Sequence, residues 1–292
     1  MMRPFSAILL LLLIVTGKSG IATAQAASGD KSLLWQVSGK GLDKPSYIFG
    51  TIHLICSSDY IWTPKMQQAF QKAQEICFEM DMDDPAVMMT IATGLMDNSG
   101  KTLEDYFKPE DYEKLSNYIR DTLGMSISMF ESMKPTILPM IFTGKSSHCK
   151  TTVSYEEKLM DAARKAKKNI VGMEKPEEQI ELFNKLPTDS VIKEVMDMVN
   201  GIDQEDTTYN KMINAYKTQD LPALDDLINR SKELDDNMSA FVDERNIKWI
   251  PRMVDMMDQK SMFFAVGAGH LWGENGVINL LRKEGYTVKP LR

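Results

Sequence analysis

Phe263-Phe-Ala-Val-Gly-Ala-Gly-His-Leu271 is the stretch whose reading decides the fold: an apolar, strand-like run stops in two glycines and a histidine. The same grammar recurs at Tyr47-Ile-Phe-Gly-Thr-Ile-His-Leu54, which also closes on Gly-x-x-His-Leu. The chain has 3 histidines, and His53 and His270, 217 positions apart, place two of them in matching contexts. One histidine at a strand end is commonly a hydrogen-bonded structural residue. A matched pair in so histidine-poor a chain points instead to one divided site.

Working outward, Leu33 to Val37 and Ser46 to His53 are β-prone and flank the turn-forming Gly39-Lys-Gly-Leu-Asp-Lys-Pro45, so they predict an antiparallel pair. Thr63-Pro64 predicts a helix start, with the helix running to about Gln74 and followed by a strand at Glu75 to Glu79. Residues 84 to 145 read as helices with polar joints, one of them opened by Lys134-Pro135. A helix is predicted from Tyr155 to Lys168, a strand from Asn169 to Glu174, and helices from Pro176 to about Met257, broken near Gly201 and Leu221-Pro222. The strand into His270, a helix from Glu274 to Lys283 and a last strand from Tyr286 to Pro290 close the chain. Short apolar strands alternating with helices predict an α/β fold: a mainly parallel central sheet with an N-terminal β-hairpin and a helical cap subdomain. One domain over 27–292 is expected, with helical insertions at about 84–150 and 176–240.

Four strand-like runs end in an ionisable side chain: His53, Glu79, Glu174 and His270. In parallel sheets, sites gather where strands end and loops begin, so two imidazoles and two carboxylates can converge there. Such a set suits a divalent metal that polarises a carbonyl and acidifies water, or a histidine base oriented by a carboxylate. In either case Gly50, Gly267 and Gly269 would position substrate and backbone, because glycine permits conformations and close approaches that a Cβ forbids. Arg245-Asn246 lies in an amphipathic helix around Ser239 to Met257. Composition alone makes it part of a solvated face; the functional alternative is that Arg245 clamps a substrate carboxylate or steadies an oxyanion. Gly267-Ala-Gly269 with Gly273 imitates a dinucleotide loop, but the pattern's third glycine falls at Trp272 and only one further strand follows. That reading is rejected. His148, in the polar run Lys145 to Cys149, reads as a surface loop residue.

The opening residues combine a basic start, an apolar run from about Phe5 to Val15 and small residues at Ala22-Thr-Ala-Gln-Ala26, the pattern of a secretory signal peptide over 1–26. The run is short for a membrane span, so the expectation is an exported protein, periplasmic or extracellular, with no stable membrane insertion once the signal is removed. An uncleaved anchor is the alternative. Loss of Arg3 and Lys18 takes the formal net charge from −7 to −9. So acidic a chain has no electrostatic case for nucleic acid or anionic lipid. The 22 methionines suit core filling. Of 3 cysteines, Cys77 lies in an apolar run and is expected buried, while Cys56 and Cys149 lie in polar stretches and can pair.

Gly50-Thr-Ile-His53, Phe78-Glu-Met-Asp81, Val171-Gly-Met-Glu174 with Gln179, Arg245-Asn246, and Val266-Gly-Ala-Gly-His-Leu271 followed by Gly276 and Gly285-Tyr-Thr-Val288 together resemble the TraB/GumN family. That family is related to the TIKI proteins, described as metal-dependent proteases, and more distantly to ChaN-like haem-binding proteins and erythromycin esterases. The resemblance implies that His53 and His270 are catalytic or metal-binding, and it draws in Glu79, Glu174, Arg245 and Asn246. Where the family has Gly-Leu-Glu-Thr, this chain has Gly172-Met-Glu-Lys175, a lysine beside Glu174. The expectation is an exported hydrolase, a metal-dependent peptidase using Mn, Co or Zn on a peptide or protein substrate. Two alternatives stand beside it: a metal-free His/Glu hydrolase, and a non-catalytic binder of a signalling peptide or haem-like ligand.

Overall fold

The computed structural model describes residues 31–143, 149, 151–201, 205–234 and 238–292. The leader expected over 1–26 and His148 lie outside the described residues. Among the described residues eight strands are formed: β1 (Leu34–Ser38), β2 (Ser46–Thr51), β3 (Ile55–Cys56), β4 (Glu75–Phe78), β5 (Thr152–Val153), β6 (Asn169–Gly172), β7 (Met262–Gly267) and β8 (Thr287–Pro290). The helices are α1 (Pro64–Lys72), α2 (Pro85–Gly94), α3 (Pro109–Tyr118), α4 (Ile137–Thr143), α5 (Tyr155–Lys165), α6 (Pro176–Asn184), α7 (Thr188–Val199), α8 (Glu205–Lys217), α9 (Leu221–Leu234), α10 (Met238–Gln259) and α11 (Val277–Lys283).

Six strands make one sheet in the order β6-β4-β7-β2-β1-β8. β6, β4, β7 and β2 run parallel, β1 pairs antiparallel with β2, and β8 pairs antiparallel with β1. The mainly parallel sheet and the N-terminal hairpin are therefore as expected. The hairpin turn uses Gly39 and Gly41 at φ 88° and 85°, a conformation that costs glycine nothing.

β7 lies between β4 and β2, and every residue from Met262 to Val266 is buried. A parallel strand covered on both faces needs an unbroken apolar run, which is how the quoted stretch reads. Phe263 sits among the rings of Phe49, Trp62 and Phe70 at 6.1, 6.4 and 5.5 Å. Each such fully buried side chain contributes about 1.5–3 kcal/mol.

Register makes the sheet a platform for the site. Thr51 pairs with Gly267, Phe78 with Ala265 and Phe78 with Gly172, so the four parallel strands end nearly level. The backbone ladder continues past β4 and β6 through Met173 N–H to Phe78 O and Glu174 N–H to Glu79 O, both at 2.8 Å. That extension fixes the Cα positions of both glutamates.

The helices contribute to two cores. A second core gathers Leu103, Phe107, Leu115, Ile119, Leu138 and Phe142 with Val191, Val195, Met196 and Met198 of α7. α8, α9 and α10 instead place Tyr216, Leu224, Trp249 and Met253 in the core of the sheet. Methionine also departs from a purely core-filling role. Met66, Met173 and Met253 are buried, but Met82, Met88, Met89 and Met129 are exposed, and α2 carries no buried residue. Cys56 and Cys149 form a disulfide with Cα atoms 5.8 Å apart, and Cys77 is free and buried. Among the described residues, no helix is long and apolar enough to cross a membrane.

Candidate functional site

The strand ends bring Glu79, Glu174 and His270 around one guanidinium. Arg245 and Asn246 are 8 % and 0 % exposed, so the solvated face expected from composition is wrong for both. The reason is the pairing. Arg245 Nε donates to both carboxylate oxygens of Glu174 at 3.0 and 3.1 Å, and its Nη2 donates to Glu174 Oε2 at 2.8 Å and Glu79 Oε2 at 2.6 Å. Arg245 Nη1 donates to Phe241 O at 3.1 Å and lies 3.3 Å from His270 Nε2. A guanidinium so fully engaged is not free to clamp a substrate carboxylate. It is the centre's own counter-charge.

Glu174, expected as a metal ligand, has both oxygens taken. Besides Arg245, Trp249 Nε1 donates to Oε1 at 2.7 Å and Gln179 Nε2 donates to Oε2 at 3.0 Å. Its cation is Arg245 from α10, whereas the neighbouring Lys175 is exposed and caps α6 through its backbone N–H to Glu178. Glu79 keeps more freedom. Oε1 accepts the Gly267 backbone N–H at 2.9 Å and faces His270 Nε2 at 3.8 Å. Burial opposes its ionisation, but His270, Arg245 and the Gly267 N–H outweigh burial and hold the carboxyl down at about 2. Glu79 is a carboxylate at any physiological pH.

The tautomer of His270 follows from its neighbours. Asn246 Nδ2 donates to His270 O at 3.2 Å and Asn275 O at 2.8 Å, which leaves Asn246 Oδ1 to accept from His270 Nδ1 at 2.7 Å. The proton therefore sits on Nδ1, and Nε2 presents a lone pair between Arg245 and Glu79. Burial is the main reason its pKa drops from 6.5 to about 4, with Arg245 pushing the same way against Glu79. The ring also lies on Trp249, centroids 4.4 Å apart.

A linked pH dependence is expected. Unfolded His270 takes up a proton near pH 6.5, while the folded ring resists until about 4. Stability should therefore decline as pH falls through that window, by about 3 kcal/mol at most from this residue. Urea midpoints at pH 7 and 4.5 measure it, and His270→Gln should flatten that part of the slope. A wild-type slope equal to that of the variant would contradict the neutral buried imidazole.

His53 stands apart from this buried group. Its ring is 80 % exposed, with Nδ1 3.4 Å from Glu156 Oε1, although the charges of Glu79 and Arg245 still reach it. The Glu156 carboxylate beside it raises its pKa towards about 9, a pull that solvent around so exposed a ring weakens. Glu156 accepts from Thr51 Oγ1 at 2.7 Å and Ser154 Oγ at 3.1 Å. Sequence reasoning missed Glu156 altogether, because an acidic residue in the first turn after a Ser N-cap reads as capping chemistry.

The glycines act by close approach rather than by unusual backbone. None of Gly50, Gly267 and Gly269 has positive φ. A Cβ on Gly50 would stand 3.0 Å from Ala268 Cα, so glycine there lets β2 pass under the turn that carries His270.

Among the described residues, no three His, Cys, Asp or Glu side chains converge as a ready metal site. The chemistry of the donors nevertheless divides them. His270 Nε2 is an unprotonated imidazole nitrogen that accepts from Arg245 Nη1 at 3.3 Å, and its other ring N–H is tied to an amide oxygen, as in many metal-bound histidines. Glu79 Oε1 is an ionised oxygen facing it at 3.8 Å. Those two have the donor chemistry for a cation, with the Arg245 guanidinium now standing against both; Glu174 does not, and His53 as placed is turned to Glu156.

The TraB/PrgY/gumN family model matches residues 33–290. Among curated proteins, Metalloprotease TIKI1 of Danio rerio is 26 % identical, over 93 % of this chain and 65 % of its own length. Metalloprotease TIKI2 of Xenopus tropicalis is 24 % identical over 94 % and 62 %, and Metalloprotease TIKI1 of Homo sapiens is 23 % identical over 88 % and 61 %. The chain thus spans under two thirds of the length of these relatives. No solved structure matches it.

Proposed function

The chain belongs to the TraB/PrgY/gumN family, and from that premise we propose that it is a peptide-bond hydrolase whose reacting groups are His270 and Glu79, with His53 as proton donor. One observation carries the reading: a neutral imidazole with a fixed tautomer and an ionised carboxylate stand 3.8 Å apart at the ends of adjacent parallel strands, with the Arg245 guanidinium against both. A divalent cation, which the relatives' name implies, would be held by His270 Nε2 and Glu79 Oε1 and would supply Lewis-acid polarisation of the scissile carbonyl and of water.

The remaining work falls to the chain's own groups. Asn246 keeps the proton on Nδ1, so that Nε2 stays available. Arg245 holds Glu79 in place through Oε2 and leaves Oε1 facing the histidine. Glu174, Trp249 and Gln179 fix Arg245 in turn. His53, exposed beside the Glu156 carboxylate that favours its protonated form, would give a proton to the leaving amine from the solvent side. Environments that push two histidines apart in pKa are how one site obtains both an acid and a lone pair at the same pH. The Cys56–Cys149 bridge supports an oxidising compartment and hence the exported location.

Purified protein stripped by a chelator should take up Mn²⁺, Co²⁺ or Zn²⁺ in a calorimetric titration, and His270→Ala should abolish that uptake. Cleavage of a peptide library, read by mass spectrometry, should vanish on stripping and return with the cation. Cleavage indifferent to chelation would replace the cation with His270 acting as base alone. No cleavage under any condition would end the hydrolase reading.

A further inference from the structure

His53 differs from its counterpart in being almost without packing, yet its neighbourhood is tightly built. The segment just past it forms β3 and the segment just before Glu156 forms β5. The two strands pair antiparallel, Ile55 with Val153 and Cys56 with Thr152. Ser57 N–H donates to Thr151 O at 3.0 Å, and the hydroxyls of Ser57 and Thr151 meet at 2.6 Å. The Cys56–Cys149 disulfide closes the same clasp. Beyond it, Glu156 is seated by Thr51 and Ser154, so its carboxylate is a fixed point while the imidazole is not. No other side chain is seen holding His53 among the described residues.

We propose that Glu156 is the positioning residue for His53, and that the β3–β5 clasp, closed by Cys56–Cys149, sets the distance between them. The assignment rests on the reading that His53 serves the reaction, but its geometry stands independently. Thr51 belongs to β2, so Glu156 also ties the clasp to the end of the catalytic sheet. Glu156→Gln keeps the shape and the Thr51 contact while removing the charge. Reduction of the bridge leaves Glu156 intact and loosens the clasp.

The chain has 3 histidines, so a ¹⁵N-histidine NMR spectrum is small, and His53→Ala and His270→Ala identify two of its signals. At fixed pH, the His53 signals should shift in Glu156→Gln while those of His270, which report on the folded core, stay in place. Adding a dithiol reductant to wild type, or making Cys149→Ser, should move or broaden the His53 signals while those of His270 stay in place; the signals of His148, the neighbour of Cys149 in sequence, are set aside. Peptide cleavage by Glu156→Gln should lose about 10- to 100-fold in kcat with KM nearly unchanged, the effect of a misplaced group. Glu156→Asp, the second variant should Gln disturb folding, should recover part of the loss. His53 signals that stay put in folded Glu156→Gln overturn the positioning role. Signals that move there yet ignore reduction overturn the part given to the clasp. A wild type that cleaves nothing while the NMR shifts occur defeats the hydrolase reading and leaves this one standing.

Discussion

Arg245→Met is expected to lower the stability of the folded protein by about 3–5 kcal/mol at pH 7, because it leaves buried carboxylates without their cation. Methionine replaces much of the aliphatic volume, so the loss is electrostatic rather than a cavity. Trp249 and Gln179 still donate to Glu174, but Glu79 keeps only the Gly267 N–H and the distant Gln179 contact at 3.5 Å. The sign of the pH response separates this cause from simple misfolding. In wild type the Glu79 pKa is depressed to about 2, so its contribution is present above 4.5 and is lost as pH falls towards 2. Without Arg245 the same burial drives that pKa upward, and the variant should regain stability as acid protonates the site. Urea unfolding of both proteins at pH 7 and pH 5 measures the difference. A variant that is no less stable at pH 7, or that weakens further at pH 5, would refute the counter-charge role.

His270→Ala should reduce peptide cleavage by about 10²–10⁴-fold, the range for a positioned acid–base group, and by more if the cation leaves with it. The fold should survive, since the two hydrogen bonds that Asn246 donates end on the backbone carbonyls of His270 and Asn275 and do not need the ring. Circular dichroism and a urea midpoint guard against unfolding as the cause. Asn246→Leu offers the companion case: the ring stays, but nothing fixes its proton on Nδ1. It should lose activity less than His270→Ala and more than a surface substitution. His270→Ala with activity within threefold of wild type would move the reacting centre elsewhere.

What could be read from residues alone was the set of strand ends. Each parallel strand is an apolar run stopped by a chemically loud residue, and a sheet makes such stops converge without further information. His53, Glu79, Glu174 and His270 were legible for that reason. The roles within the set were not. Arg245 lies on a helix whose charged residues resemble a solvated face, and only the packing of α10 across the strand ends turns it inward. That inward turn is what removes Glu174 from the list of free ligands. Glu156 was hidden because its local setting is fully explained as the first turn of a helix. Its second role depends on β3 and β5, strands of two residues each that carry no periodicity to detect. The disulfide was legible from polarity and compartment together, whereas the membership of α7 in the second core depends on its packing against α3 and α4, segments far from it in the chain.

The place of β7 between β4 and β2 sets a timetable for biosynthesis. Those flanking strands are complete early in the chain, but they have no contact with each other until β7 inserts between them. At about 5–20 residues per second, the 217 positions from His53 to His270 take about 10–40 s to make. Throughout that interval the ribosome carries His53 on the β2 side and Glu79 with Glu174 on the β4–β6 side, without the strand that joins the two. On the proposed reading, a centre completed by the last of its parallel strands cannot act while the chain is still being made, so chain order alone keeps the growing polypeptide idle.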